Sequence, residues 1–366
     1  MDFINPQYLK KAKYQERIDE NISQCLTCER KCKISNGNSG FCQTRINLNG
    51  EIFSIVYGLI PALSFNPIEK KPLYHFYPGT VAITIGTYGC NFSCFWCQNH
   101  HISHPEKDIS NIVKNSKDYL TPEKIIKIAK KNNCQGTSIS FNEPTLLFEY
   151  SLEVFKLAKK EGLYNTYVTN GYMTEEVLED LIKNGLDAMN IDIKGGADMV
   201  KRYCGADVEK VWRNAKMAKE SGVHVEITTL LIENLNTNQE IIKHIAQRIL
   251  NDLGDDTPFH LTRFFPHYKS NEHGFFDPTP KKLLSQSYET SKEVGLKFVY
   301  LGNLPYSKYD NTYCNICSKL VIERSGVGVS KLYLDNHGNC KYCGSSIVKT
   351  INKFIGLFNH HERKIC

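Results

Sequence analysis

Between residues 80 and 303 the chain switches repeatedly between two hydrophobic patterns. Short runs rich in β-branched residues, such as TVAITIG over 80–86, read as strands. The same pattern returns at 137–143, 164–171, 188–195, 223–232, 258–265 and 297–302. Longer stretches with helical spacing of apolar positions lie between them, at 121–133, 146–162, 174–185, 208–222, 238–254 and 280–295. Thr121 and Thr174 stand where N-caps belong, and Pro122 and Glu123 suit a first turn. Strand and helix alternating in this way predict a parallel sheet with right-handed crossovers. At this length the expected fold is α/β, a partial or complete parallel (β/α) barrel.

Such barrels carry their chemistry at the C-terminal ends of the strands. The residues predicted there are Tyr88 and Cys90, Asn142 and Glu143, Thr169 and Asn170, and Asp192 and Lys194. Each pair alone is compatible with an ordinary turn or cap. Four consecutive strands ending in polar, ligand-binding side chains point to a site. Outside the barrel the periodicity fades. Residues 1–79 and 306–366 have too little patterned sequence for a large core, and each reads as a small cysteine-rich, metal-stapled module flanking a barrel at 80–305.

Composition sharpens this picture at the cysteines. The chain has 366 residues, is 41% hydrophobic and carries a formal net charge of +6. The basic residues are scattered, which is a solvated surface more than a nucleic-acid footprint. The longest apolar run, over 53–65, is too short to span a bilayer, and the first residues do not resemble a secretory signal, so a cytoplasmic location is expected. In that compartment fourteen cysteines argue for metal, not disulfides. Eleven fall into three clusters: Cys25, Cys28, Cys32 and Cys42; Cys90, Cys94 and Cys97; and Cys314, Cys317, Cys340 and Cys343.

The middle cluster, CNFSCFWC over 90–97, has three thiolates where a closed site needs four. Three thiolates can hold three corners of a [4Fe–4S] cube and leave the fourth iron free for another ligand. The competing reading is a zinc loop completed by a distant His100, His101, His104, Cys134 or Cys204.

C-x3-C followed by an aromatic, Trp96, and Cys97 resembles the signature of the radical S-adenosylmethionine (SAM) superfamily. That resemblance implies a [4Fe–4S] cluster on Cys90, Cys94 and Cys97, with SAM chelated to the open iron and cleaved by one electron to a 5′-deoxyadenosyl radical that abstracts hydrogen from substrate. It places Glu143, in FNEP with Asn142, near the SAM amino group, and Trp96 near the adenine. VTNGY and NIDIKG, with Thr169, Asn170, Asp192 and Lys194, resemble strands of glycyl-radical-enzyme activases that approach ribose, carboxylate and substrate. Over nearly the whole chain, CLTCERKCKI, CNFSCFWCQN, FNEPT, VTNGY, DIKG, HLTRFFP and NTYCNICSKLVIER resemble the radical SAM enzyme of the AmmeMemoRadiSam system, related to pyruvate formate-lyase activating enzyme. The resemblance implies Memo-like and AMMECR1-like proteins as partners, a reducing donor such as flavodoxin or ferredoxin, and no settled substrate.

The two quartets differ in spacing. Cys314-x2-Cys317-x22-Cys340-x2-Cys343 predicts a zinc ribbon. Cys25-x2-Cys28-x3-Cys32-x9-Cys42 fits zinc or a second iron–sulfur cluster. Arg263 and His260, in HLTRFFP, are the candidates for handling the substrate, Arg263 through a bidentate grip on an anion. An internal ion pair of Arg263 with Asp192 or Glu226 is the alternative.

Three functions follow. The first is a radical SAM enzyme acting on a small molecule or a protein. The second is a glycyl-radical activase, weakened if the C-terminal ribbon covers the barrel mouth. The third is a non-enzymatic zinc protein binding nucleic acid, for which the ribbon has few clustered basic residues.

Overall fold

The computed structural model describes residues 4–304 and 307–348. Residues 349–366 of the expected C-terminal module, with Cys366, lie outside the described residues. Eight strands form one sheet: β1 (Ala62–Pro67), β2 (Val81–Gly86), β3 (Gly136–Ile139), β4 (Tyr164–Thr169), β5 (Ala188–Asp192), β6 (His224–Leu231), β7 (Phe259–Arg263) and β8 (Val299–Gly302). They lie side by side in chain order, with β2 to β8 all parallel and β1 antiparallel to β2. The ladder ends at β1 and β8, so the barrel is partial. Its first strand lies before residue 80.

Six helices follow the strands as the periodicity predicts: α1 (Pro122–Lys131), α2 (Phe148–Lys160), α3 (Glu175–Lys183), α4 (Val208–Glu220), α5 (Gln239–Arg248) and α6 (Lys281–Glu293). In α1 the Thr121 hydroxyl accepts from the Lys124 N–H at 3.2 Å, and Ile125, Ile126 and Ala129 are buried. Thr174 behaves differently. It precedes α3, but its hydroxyl donates to the Leu26 carbonyl at 2.9 Å and does not cap the helix.

Alternation along each strand divides the sheet. Ile83, Ile85, Ile139, Tyr167, Met189, Ile191, Ile227 and Leu261 join the buried aliphatic core shared with helix residues such as Ile125, Phe155 and Leu178. The opposite, inner face carries small or polar residues, among them Thr84, Ser138, Thr166, Asn190 and Thr228. The segment between β1 and β2 floors this space, with Phe76 set against Tyr164 at 5.2 Å and packed with Ala82 and Ala188.

The two flanking regions sit at opposite ends. Residues 10–54 form two three-stranded antiparallel sheets and lie at the mouth, where Cys28 bridges to Met173 and the Glu29 N–H donates to the Tyr172 carbonyl. Buried Arg45 clamps both oxygens of Glu149 on α2 at 2.8 Å. The C-terminal sheet, beginning with Thr312–Tyr313, lies at the floor. There the Thr312 hydroxyl meets that of Tyr300 at 2.8 Å, the Arg324 guanidinium donates to the Tyr74 carbonyl, and His75 contacts the Ile347 carbonyl. A ribbon covering the mouth is therefore not what forms. The chain descends after β8 and packs under the barrel.

Candidate active site

The three-cysteine loop leaves β2 at its C-terminal end. Gly86 faces inward there, and a Cβ on it would lie 2.7 Å from the Ser140 carbonyl oxygen and 3.0 Å from the Phe141 side chain. The expected strand at 137–143 stops at Ile139 because Phe141 takes a left-handed conformation, φ 74°. The break turns Asn142 and Glu143 toward the loop. The Asn142 amide donates to the Gly89 carbonyl at 2.7 Å, and its oxygen accepts from the Thr87 N–H at 3.3 Å. The side-chain amide of Asn99, two residues past Cys97, donates to the Phe141 carbonyl.

Glu143 is buried and saturated with donors. One oxygen accepts from the Thr145 N–H at 3.0 Å, its hydroxyl at 2.6 Å and the Thr169 hydroxyl at 2.7 Å. The other accepts from the Asn170 N–H at 2.8 Å. Burial pushes the carboxyl above its ordinary value, and the four donors pull it part of the way back. The Asn170 side chain then donates to Asn91, beside Cys90, at 2.7 Å. So Asn142, Glu143, Thr169 and Asn170, expected separately at strand ends, form one hydrogen-bonded set around the loop. Asp192 and Lys194 form an ion pair at 2.9 Å. Burial would lower the Lys194 pKa, but Asp192 and then Cys94 outweigh it and raise it. Trp96 is buried edge-on against Phe95 at 4.7 Å, with Tyr203 at 6.2 Å.

Two expected residues stand elsewhere. His260 is the second residue of β7, at the floor, where its Nε2 meets Glu226 at 2.6 Å. Glu226 also accepts from His224 at 2.9 Å and from the backbone N–H groups of Tyr74 and His75 at 3.0 and 2.7 Å. Burial would raise the Glu226 carboxyl, yet the His224 and His260 hydrogen bonds hold it far below its ordinary value. His260 thus ties sheet to floor, away from the cysteine loop. Arg263 does end β7 at the mouth, but its Nε donates to the Thr279 carbonyl at 2.7 Å and its guanidinium lies 5.1 Å from the Phe265 ring centre. Neither Asp192 nor Glu226 is its partner among the described residues.

Cys204 was isolated in the sequence and is central in space. A π-helical turn, Val200–Cys204, sets its sulfur 3.5 Å from that of Cys94. Its carbonyl accepts from Arg30 at 3.0 Å and from the Ser93 N–H at 3.3 Å.

The quartets differ in how tightly they gather. Among the described residues, the metal-ligating group whose donor atoms all lie within 4.8 Å is Cys314, Cys317, Cys340 and Cys343, with sulfur pairs at 3.5 and 3.7 Å. A tetrahedral ion with Zn–S near 2.3 Å spaces sulfurs by about 3.8 Å. The three-cysteine loop, even with Cys204, does not gather this tightly. Neither does the N-terminal quartet, whose four cysteines instead line a small pocket together with Arg45 and Asn91. Arg45 Nε and Asn91 Nδ2 are buried donors with no hydrogen-bond partner among the described residues.

Known proteins resemble this chain in sequence. Residues 84–245 match the family model of the radical SAM superfamily. An uncharacterized protein of Methanocaldococcus jannaschii is 39% identical over 341 residues, covering 93% of this chain and 99% of that one. A second protein of that organism, named a glycyl-radical enzyme activating enzyme, is 30% identical over 62% of this chain and 80% of its own length. Among solved structures, a domain of pyruvate-formate lyase-activating enzyme from Bacteroides vulgatus aligns with a TM-score of 0.39 at 19% identity, covering 46% of this chain and 99% of that one. No helix of the described residues is long and apolar enough to cross a membrane.

Proposed function

The chain belongs to the radical SAM superfamily and is an enzyme of that class, and from that premise we propose that Cys90, Cys94 and Cys97 hold a [4Fe–4S] cluster with SAM on its open iron. The superfamily domain implies both cofactors. When bound, they supply a one-electron cleavage that yields a 5′-deoxyadenosyl radical. The observation that supports the assignment to these residues is the C-x3-C-x2-C spacing just past the C-terminal end of β2, within the segment 84–245 that matches the superfamily model. Asn142 holds the Gly89 carbonyl, and Glu143 orients Asn170 and, through it, Asn91. Lys194, held by Asp192, offers a cation for a carboxylate. Trp96 walls the loop from water. Arg263 sits at the rim, with part of its guanidinium free of the Thr279 carbonyl.

Anaerobic reconstitution followed by dithionite and SAM should give 5′-deoxyadenosine, and Cys94→Ala should abolish it. An intact cluster with SAM bound and no 5′-deoxyadenosine would sink the reading.

The substrate is a small molecule or a protein. The named relative, together with a C-terminal sheet that packs at the floor and not over the mouth, supports a second reading, activation of a glycyl-radical partner. A glycyl EPR signal on a co-purified protein would establish it. The resemblance to the AmmeMemoRadiSam system favours Memo-like and AMMECR1-like proteins as partners, a flavodoxin or ferredoxin as donor, and a cytoplasmic setting.

The quartets take different metals in this reading. The tight C-terminal group suits one tetrahedral zinc. Of the two occupants open to Cys25, Cys28, Cys32 and Cys42, the two unpartnered donors that line their pocket favour an iron–sulfur cluster, whose sulfurs accept hydrogen bonds. Iron, sulfide and zinc counts on anaerobically purified protein separate the two.

A further inference from the structure

Lys71 is a buried cation that the site above leaves unexplained. It follows the short 3₁₀ turn Ile68–Lys70 on the barrel floor and is 5% exposed. Its Nζ lies 5.2 Å from the centre of the Phe141 ring, and Phe141 packs against the inner face of Gly86 at the other end of the barrel. The side chain therefore runs up inside the barrel from floor toward mouth. Phe141 is in turn tied by Asn99 to the segment bearing the three cysteines.

No carboxylate answers Lys71 among the described residues. The other buried cations have partners: Arg45 pairs with Glu149, and the Arg324 guanidinium donates to the Asp310 and Tyr74 carbonyls and to the Thr312 hydroxyl. Burial, with Lys70 nearby, pushes the Lys71 ammonium down to about 7. An unpaired charge in such a place is costly, and a fold retains it where a ligand offsets the cost. The inner face bears two further orphans. Ser138 Oγ and Thr228 Oγ1 are buried there without a hydrogen-bond partner among the described residues. A buried cation beside Phe141 and unsatisfied hydroxyls on the inner face of the same sheet are the equipment for a small anion.

We propose that Lys71 binds an anionic group of the substrate, a carboxylate or a phosphate, seated inside the barrel below the three-cysteine loop. The assignment of the reacting centre rests on the radical SAM reading. The binding of the anion does not.

The test uses oxygen-free holoprotein without SAM or reductant, titrated by calorimetry with inorganic phosphate and separately with acetate. Wild-type protein should bind one of the two saturably, and which one distinguishes phosphate from carboxylate. Lys71→Arg should keep that binding, and Lys71→Met should weaken it more than about tenfold. Lys71→Met should also melt at a higher temperature than wild type in the absence of anion, because it removes an unpaired buried charge. Binding of neither probe by wild type, undiminished binding by Lys71→Met, or a lower melting temperature for that variant would each overturn the proposal. SAM cleavage is measured separately. Its absence beside intact anion binding would sink the radical reading alone.

Discussion

The two four-cysteine groups share a ligand set and differ in nearly everything else. The C-terminal group lies at the floor, with its sulfurs 3.5 and 3.7 Å apart in pairs. The N-terminal group lies at the mouth around a cavity whose wall includes Asn91, the neighbour of Cys90. A Cβ on Gly89 would fall 2.6 Å from the Cys42 carbonyl oxygen, so the quartet and the three-cysteine loop touch through backbone. Four thiolates closed on one ion leave no position for chemistry and serve structure. Four thiolates held apart beside a reactive loop are placed to serve it. Position and spacing, not ligand identity, separate the two roles.

The sharpest way to break that contrast is to remove each metal in turn. Cys314→Ala/Cys317→Ala should release zinc and unfold the C-terminal sheet. Its own buried core is small, built on Val321, Ile322, Leu334 and a few neighbours, whereas a structural zinc supplies on the order of 10 kcal/mol. Thermal melting and limited proteolysis would register the loss, while SAM cleavage at low temperature should survive. Cys25→Ala/Cys28→Ala should do the converse. Iron content falls by one cluster, the fold persists through the Arg45–Glu149 clamp, and turnover driven by a protein electron donor drops. If both double variants lost the same metal and the same activity, the contrast would fail.

Much of this was readable beforehand, and the failures have physical causes. Every predicted helix and parallel strand formed, because both patterns were strongly periodic. β1 was missed: Ser64, Asn66 and Pro67 dilute its pattern, and an edge strand tolerates a proline. The strand-end residues Asn142, Glu143, Thr169 and Asn170 were legible from position alone, since parallel strands align their C-terminal ends. His260 was misplaced because its motif was read as a unit. Leu261 and Thr262 separate it from Arg263 along one strand, which is enough to put one at the floor and the other at the rim. Lys71 gave no local signal, and Cys204 stood among five candidates for completing the loop with nothing local to single it out. Each acquires its meaning from contacts across the barrel, and the end of the barrel that a terminal module covers is likewise a tertiary fact.

A smaller effect should separate the ends by pH. His75 is buried at the floor against Tyr300, and burial pushes its imidazole from 6.5 down to about 3. Its folded pKa lies below the unfolded one, so the unfolded chain binds the proton first. This contribution to stability is complete above pH 6.5 and is lost as pH falls from there toward 3. The depressed Glu226 acts in the same direction, with its loss beginning below its unfolded value of 4.5. Glu69, raised to about 7, opposes them by favouring the folded state at low pH. The floor should nonetheless loosen in mild acid before the mouth does. Hydrogen exchange at pH 5 against pH 7.5 would detect it at residues 72–76 and 312–324. Equal loosening at the mouth would remove the distinction.

The smallest expected effect bears on the mouth itself. Cys204 comes within 3.5 Å of Cys94, close enough for two sulfurs on one metal. Were it a fourth ligand, no iron would be left open for SAM. Two features argue against this. The three loop cysteines and Cys204 do not gather as one closed site, and the Cys204 turn is already anchored through its carbonyl, by Arg30 and the Ser93 N–H. Backbone anchoring makes the thiol dispensable for position. Cys204→Ala should then keep the full iron and sulfide count of the wild type and change 5′-deoxyadenosine formation by less than about threefold, since only a thiol–thiol contact next to Cys94 is lost. A variant that loses the loop cluster would mean that the corner proposed for SAM is occupied by protein.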